Sequence, residues 1–381
     1  MKAITFPQMI KTALLSIMLF QIYGCAVVGK NTLTPQSTLP TNEESSPLPT
    51  FPVDQTPVSY TITNLANIAP GCFVEAVSPN SEWIVKSCEP YRDLVVEKLD
   101  GSEAHTLISE HEKAVYLADF SPDGKRMTVT VMGDSIWLFD TGNWDEKQKL
   151  YSGQDVHANI TWSPDSHTMA VTYLNEGKAL SLLNVDGSSY DLISFAEIHR
   201  TQFDGMFNRF GPAWSPDSQK IAYLVLDGFT DEYPVSLWVI DLNDKSRKLL
   251  YSGKEGEFGL DPIWLSDGKT ILLDTLYFGD STNFLIVLDL SKGTFRKVWT
   301  YENSSLFAVS PDDKYVIACT LSEEFILIDL ESSQIQSIGY QNAGDQGVTD
   351  QCSAPLFWVN QNTFLTRTGR NLLQIRFQGN P

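Results

Sequence analysis

Short apolar runs alternate with tight polar turns along most of this chain. In the clearest stretch, Trp214 ends one apolar run, Ser215-Pro216-Asp217 follows, and Ile221 begins the next run. Proline sets φ for a turn, and the aspartate beside it accepts hydrogen bonds from backbone N–H groups just beyond. Runs of this length, rich in β-branched and aromatic residues, are typical of strands. The stretch therefore predicts two antiparallel strands joined by a tight turn.

The same turn recurs along the chain, at intervals of about 42 to 52 residues, which is the range of propellers and helical arrays. The strand-like composition excludes helical arrays. The residue at the first turn position, here called the anchor, is Ser78, Ser121, Ser163, Ser215, Leu265, Ser310 or Val359. Apolar residues precede all seven anchors and also lie six positions beyond each, at Ile84, Met127, Met169, Ile221, Ile271, Val316 and Leu365. Seven copies of one structural unit are predicted.

Each repeat contains a pattern of four strands. In the fourth repeat the first strand ends at Trp214, and the others span residues 220–226, 236–242 and 247–251. An aspartate closes the third strand of six repeats, where it is predicted to cap the following turn. These aspartates are Asp100, Asp140, Asp186, Asp241, Asp289 and Asp329.

The seventh repeat has three predicted strands, at residues 356–358, 363–368 and 372–377, and lacks a fourth. Residues 58–63 form a strand upstream of the first repeat and belong to no repeat. This strand is expected to complete the seventh repeat, because closure leaves no sheet edge exposed. The predicted fold is all-β, a seven-bladed β-propeller of four-stranded antiparallel blades. Six blades is the alternative, with the worn seventh copy outside the ring.

The aromatic-Ser-Pro-Asp-Gly-Lys signature resembles the WD40-like repeat of TolB-type propellers, which also occurs in propellers of the prolyl oligopeptidase family. The resemblance covers residues 58–381 and implies the propeller fold. It implies little about activity, because such folds host many unrelated functions. The G-x-S-x-G elbow of a serine hydrolase is absent from the sequence, so peptidase activity is not expected.

The N-terminus resembles a bacterial lipoprotein signal. Lys2 and Lys11 form a positively charged region before a short apolar segment at residues 12–22, and Ile22-Tyr23-Gly24-Cys25 resembles a lipobox. The predicted organisation is a signal peptide at 1–24, a Pro/Thr/Ser-rich flexible tether at 25–57 and a propeller at 58–381. The resemblance implies lipidation of Cys25 and export to a bacterial membrane, on the periplasmic face or the cell surface. An ordinary signal peptide is the alternative.

The formal net charge is −20, which argues against binding to nucleic acid through broad electrostatics. Phosphate-loop and dinucleotide fingerprints are absent, and the five histidines form no metal-binding motif. We therefore expect no cofactor, no metal and no enzymatic activity in a monomeric protein. The alternative is a metal site formed by histidines from different repeats that converge at the mouth of the propeller channel.

Four cysteines follow Cys25. Cys72 and Cys88 flank the first turn symmetrically, so they are predicted to lie opposite each other on paired strands and to form a disulfide in an exported protein. Cys319 and Cys352 belong to consecutive repeats and are candidates for a second bridge, although no register argument fixes their distance.

The longest predicted loops flank the fourth repeat and share one face of the propeller. They contain aromatic and arginine side chains, the usual anchors of protein interfaces. This composition predicts binding of an envelope protein or peptide, and packing of the aromatics onto the blade is the alternative. An enzyme (a lyase or glycan-processing propeller) and a carbohydrate sensor remain competing hypotheses. The candidate binding residues are His199, Arg200, Phe203, Phe207, Arg209, Phe229 and Tyr233.

Overall fold

A computed structural model of the chain describes most of the region from Tyr60 to Gln378. The described residues are 60–68, 72–88, 93–109, 116–153, 158–173, 178–194, 211–226, 235–253, 257–277, 282–302, 306–319, 325–338, 353–368 and 371–378. They form 28 strands in seven four-stranded antiparallel sheets. The all-β seven-bladed propeller is therefore confirmed, and the six-bladed alternative is wrong.

Blades one to four follow one another along the chain. Blade one contains β2 (Cys72–Val77), β3 (Trp83–Cys88), β4 (Asp93–Lys98) and β5 (Ala104–Ile108). Blade two contains β6 (Tyr116–Phe120), β7 (Arg126–Val131), β8 (Ser135–Asp140) and β9 (Asn143–Ser152). Blade three contains β10 (Ala158–Trp162), β11 (Thr168–Tyr173), β12 (Lys178–Asn184) and β13 (Ser189–Ser194). Blade four contains β14 (Ala213–Trp214), β15 (Lys220–Leu226), β16 (Val235–Asp241) and β17 (Arg247–Ser252).

Blades five to seven complete the ring, and β1 belongs to the last of them. Blade five contains β18 (Glu257–Trp264), β19 (Thr270–Tyr277), β20 (Thr282–Asp289) and β21 (Thr294–Glu302). Blade six contains β22 (Leu306–Val309), β23 (Tyr315–Cys319), β24 (Phe325–Asp329) and β25 (Ile335–Ile338). Blade seven contains β26 (Ser353–Asn360), β27 (Thr363–Thr368), β28 (Asn371–Phe377) and β1 (Tyr60–Asn67).

The predicted closure is confirmed, and the closing strand spans Tyr60–Asn67 where the sequence predicts 58–63. β1 pairs antiparallel with β28, with Tyr60 opposite Phe377 and Ile62 opposite Ile375. The strand that begins the described chain thus lies beside the one that ends it. This pairing covers an edge that β28 would otherwise leave open.

The strand order gives the propeller two different faces. In each antiparallel blade the first and third turns lie at one edge, and the remaining connections lie at the other. We call the first edge the turn face, because it carries the Ser-Pro-Asp turns, and the second edge the loop face. The first strands of neighbouring blades contact each other, as β2 does with β6 and β26, and they surround the central channel.

Hydrophobic side chains fill the spaces between blades. Seven clusters of buried residues are present, one at each interface between adjacent blades. At the closing seam, Cys72 and Ile84 of blade one pack with Leu365 and Leu372 of blade seven. The core is therefore a series of layers arranged around the ring.

The anchor serine and the turn aspartate tie each turn together. In blade four, the Ser215 hydroxyl donates to Asp217 Oδ1 at 2.6 Å and accepts from the Lys220 N–H at 2.8 Å. Asp217 also accepts from the Gln219 N–H at 3.0 Å. These bonds lower the pKa of Asp217, the Ser215 hydroxyl contributing most. The residue three positions after the anchor, Ser218, has φ of 56°, which is normally favoured by glycine.

Some of these left-handed serines connect neighbouring blades. The Ser166 hydroxyl in blade three accepts a hydrogen bond from the Asp123 N–H in blade two at 3.1 Å. The Ser218 hydroxyl in blade four accepts from the Asp165 N–H in blade three at 3.3 Å. A glycine would fit the backbone at these positions, but it could not form the bond between blades. Serine therefore links the turns into a chain along this part of the turn face.

Ser166→Ala is expected to lower the free energy of unfolding by about 1 kcal/mol, because the bond to the Asp123 N–H is lost. Ser81→Ala is the matched control: Ser81 has a similar φ of 56°, and its hydroxyl forms no hydrogen bond to any other described residue. That variant should stay within about 0.5 kcal/mol of the wild type. Urea unfolding of both variants measures the difference. Equal losses would show that the hydroxyl in blade three does not join the blades.

Candidate functional site

The candidate binding residues lie outside the described part of the chain. These are His199, Arg200, Phe203, Phe207, Arg209, Phe229 and Tyr233. The strands that flank them are described: β13 ends at Ser194 and β14 begins at Ala213, while β15 ends at Leu226 and β16 begins at Val235. All four of these strand ends lie at the loop face. Binding by these residues stays a prediction.

The cysteine predictions have separate outcomes. Cys72 lies opposite Cys88 in the register of β2 and β3, and the two form a disulfide. That prediction is confirmed. Cys319 ends β23, but its side chain and all of Cys352 lie outside the described part, as does Cys25. The second bridge and the lipidation site therefore stay predictions.

A single carboxylate stands out among the innermost strands. Asp119 occupies the position two residues before its anchor, in β6, and its side chain is exposed at the inner edge of the ring. Protein surrounds this position, and the resulting desolvation raises the pKa of Asp119 to about 7, opposed by a hydrogen bond from the Phe120 N–H. The other six blades carry uncharged residues there, namely Ala76, Thr161, Ala213, Ile263, Ala308 and Phe357.

The backbone around Asp119 is held by its neighbours. The Asp119 carbonyl accepts hydrogen bonds from the Thr128 hydroxyl and from the Trp162 indole N–H of blade three, both at 3.3 Å. Trp214 makes the equivalent contact to the Thr161 carbonyl at 3.0 Å. Indole groups thus join successive inner strands and fix the backbone from which the Asp119 carboxylate projects.

Sequence reasoning did not single out Asp119. A signal was present, because the segment Tyr116-Leu117-Ala118-Asp119-Phe120 places a charge in an otherwise apolar inner strand. An acid whose pKa is close to neutrality is able to take up and release a proton, or to bind a cation, at physiological pH. The carboxylate is therefore a candidate functional group of the channel.

The pKa of Asp119 predicts a specific pH dependence of stability. Between the ordinary value of 3.8 and about 7, the unfolded chain releases the proton while the folded chain keeps it. The unfolded state then binds fewer protons, so the free energy of unfolding falls as the pH rises through this range. Asp119→Asn removes this contribution. Urea unfolding should show the wild type losing stability relative to the variant from pH 4 to pH 7, with no further relative loss above that.

Asp145→Asn is the control, since Asp145 is an exposed aspartate on the outer strand of the same blade. Its stability should run parallel to that of the wild type across the whole pH range. If the stability of Asp119→Asn also changed with pH in the same way as that of the wild type, the raised pKa of Asp119 would be contradicted.

A cleft of about 410 Å³ opens on the turn face between blades five and six. We call it the 5/6 cleft. Its apolar lining comes from Leu265, Val287 and Leu330, which belong to the hydrophobic cluster between these two blades, while the Phe295 ring at its edge packs against Tyr251 of blade four. Its polar lining includes Asp267, Asp289 and Lys292 of blade five and Asp313 and Glu331 of blade six. The volume lies within the range of about 300–1,000 Å³ that is usual for sites binding small ligands.

The described residues contain neither a metal-binding cluster nor a membrane-spanning helix. They contain no group of three or more His, Cys, Asp or Glu side chains placed to hold a metal ion. The same ranges contain no helix that is both long enough and apolar enough to span a membrane.

The fold is shared with proteins of known structure. An oligogalacturonate lyase in complex with manganese matches with a TM-score of 0.59 and 12% identity, covering 84% of this chain and 96% of the lyase. The oligogalacturonate lyase of Vibrio parahaemolyticus matches with a TM-score of 0.57 and 11% identity, covering 84% and 97%. TolB from Acinetobacter baumannii matches with a TM-score of 0.46 and 14% identity, covering 84% of this chain and 65% of TolB.

No protein-family model matches this chain, and no curated protein matches it significantly. At the identities above, the two lyase structures establish the propeller fold alone.

Proposed function

We propose that this protein is a lipid-anchored propeller of the bacterial cell envelope that binds a protein or peptide through its loop face. One observation carries the proposal: the strands on either side of residues 195–212 and 227–234 end at the same face, beside blade four. Both segments are rich in aromatic residues, and the first also contains Arg200 and Arg209. Aromatic and arginine side chains dominate the binding energy of protein interfaces.

The point at which the chain enters the ring supports this arrangement. β1 begins at Tyr60, which pairs with Phe377 at the turn face. The predicted tether from Cys25 to residue 57 therefore joins the propeller on the face opposite to the loop face.

A propeller enzyme is the second candidate, and Asp119 is the observation that favours it. A carboxylate with a pKa of about 7 in the channel has the property required of a general acid or base. Two of the similar structures are oligogalacturonate lyases, one of them in complex with manganese. Binding is the better supported function, because it rests on several aromatic and arginine residues in two segments that leave the same face, whereas the enzyme hypothesis rests on Asp119 alone.

In-cell crosslinking tests the proposal. The full-length chain is purified from membranes after crosslinking, and the proteins bound to it are identified. We expect one stoichiometric partner, lost when Phe203, Phe207 and Arg209 are changed to alanine. Tyr190→Ala is the control, because Tyr190 is a 56% exposed aromatic residue on β13, outside the loop face.

Recovery of the propeller without a partner, or equal loss of the partner in the Tyr190 control, would overturn the proposal. The anchor is tested separately, since Cys25→Ala should move the protein from the membrane to the soluble fraction. Retention in the membrane would contradict lipidation at Cys25.

A further inference from the structure

The walls of the 5/6 cleft are tied to each other across the blade interface. The Ser266 N–H in blade five donates to the Asp313 carboxylate in blade six at 2.5 Å. The Arg296 guanidinium in blade five donates to the Ser333 hydroxyl at 2.7 Å and to the Leu330 carbonyl in blade six. These links hold the two blades at a set separation, so the cleft is formed before any ligand arrives. Preorganisation of this kind lowers the entropic cost of binding.

The floor of the cleft is apolar because blade five departs from the repeat. Its anchor is Leu265, which is 6% exposed, where five other blades have a serine. The bonds that the serine hydroxyl makes elsewhere are replaced by Asp267, which accepts from the N–H groups of Lys269 and Thr270, both at 2.8 Å. The anchor side chain is thereby released from the turn and lines the cleft, in the same hydrophobic cluster as Val287 and Leu330.

The charges that line the cleft are mostly negative. Four carboxylates contribute, those of Asp267, Asp289, Asp313 and Glu331, against two cations, Lys292 and Arg296. Both cations already have partners: Lys292 pairs with Asp289 at 3.0 Å, and Arg296 binds groups of blade six. The Glu331 carboxylate is exposed and pairs with no cation among the described residues. A negative surplus thus surrounds an apolar floor.

Charge complementarity and the apolar floor select the same kind of ligand. An arginine side chain has a long aliphatic stem, which packs on apolar surface, and a planar cation whose geometry matches that of a carboxylate. The cleft offers Leu265, Val287 and Leu330 to the stem and the unpaired Glu331 carboxylate to the planar cation.

We propose that the 5/6 cleft is a docking site for an arginine side chain on an exposed segment of a partner protein. The site lies on the turn face, opposite to the loop face. It is independent of the binding proposed for the loop face, and with both sites occupied the propeller would bridge two partners.

Calorimetric titration of the full-length protein with short peptides tests this assignment. The probe is acetyl-Gly-Leu-Arg-Gly-amide, and its control carries citrulline, which keeps the shape of arginine without the charge. We expect the arginine peptide to bind at least tenfold more tightly than the citrulline peptide, and at least threefold more tightly than the lysine peptide. Raising the salt concentration should weaken binding, because exposed charges are screened.

Glu331→Lys should weaken binding of the arginine peptide at least tenfold, and Glu146→Lys should change it less than twofold. Glu146 is an exposed glutamate on β9 of blade two, so its variant makes the same charge change away from the cleft. Thr294→Phe, which places a larger side chain in the cleft wall, should also abolish binding. If this variant fails to fold, the two glutamate variants still decide the question.

Three results would overturn the proposal. One is the absence of binding by the arginine peptide. Another is equal binding of the arginine peptide and either the citrulline or the lysine peptide. The third is an equal effect of Glu331→Lys and Glu146→Lys, which would show general attraction of cations to an acidic protein.

Discussion

Deletion of residues 58–64 is expected to abolish cooperative folding of the whole propeller. This segment contains most of β1, including Tyr60 and Ile62, which pair with Phe377 and Ile375 of β28. Without it, β28 becomes an exposed edge and blade seven keeps three strands. The expected loss in the free energy of unfolding is comparable with the total stability of a typical domain, about 5–15 kcal/mol, because the ring of blades closes through β1 and opens without it.

The measurement is urea unfolding, followed by circular dichroism and by tryptophan fluorescence. Deletion of residues 45–51 is the control, since it shortens the predicted tether by the same number of residues and leaves β1 in place. The control should unfold like the wild type, in one transition. A deletion of 58–64 that merely lowers stability slightly, with an intact single transition, would mean that closure by β1 is not required for the ring.

Removal of the disulfide between Cys72 and Cys88 is expected to lower the free energy of unfolding by about 3 kcal/mol, the loss predicted for a closed loop of about 15 residues. The bonded cysteines are separated by 16 positions. Cys72 also packs at the seam between blades one and seven, where it is 5% exposed. The disulfide therefore fixes β2 against β3 in blade one, at the surface on which blade seven packs.

Unfolding of the Cys72→Ala, Cys88→Ala double variant, with and without reductant, measures this contribution. Reduction should destabilise the wild type by a similar amount. A further loss when the double variant is reduced would reveal a second bridge, as predicted for Cys319 and Cys352. Unchanged stability of both the reduced wild type and the double variant would contradict a stabilising role for the disulfide.

The two faces of the propeller differ in how they are built. On the turn face, short turns are fixed by hydrogen bonds such as that from the Ser215 hydroxyl to Asp217. On the loop face, the connections vary widely in length, from residues 369–370 to residues 195–212, and their sequences differ from one repeat to the next. Rigid scaffolds that present variable loops are a common arrangement for binding proteins. The proposed peptide-binding site lies on the variable loop face, and the proposed arginine site lies on the rigid turn face.

The sequence by itself determined the repeat, the strands and the closure of the ring. β15 and β27 have the predicted bounds, and β16 and β28 agree to within one residue. The position of Cys72 opposite Cys88 followed from symmetry about the first turn. These features are local or recur in every repeat, so residue spacing within about 50 positions contains the information that specifies them.

The tertiary structure alone decided what lies between blades. The Ser166 bond to the Asp123 N–H, the Trp162 bond to the Asp119 carbonyl and the 5/6 cleft all join residues of different repeats. A repeat pattern predicts which residues share a blade, but it does not specify which side chains meet across an interface, since this depends on the twist and separation of whole sheets. Desolvation and cavity shape arise from that packing, and both candidate sites in the described part of the chain depend on it.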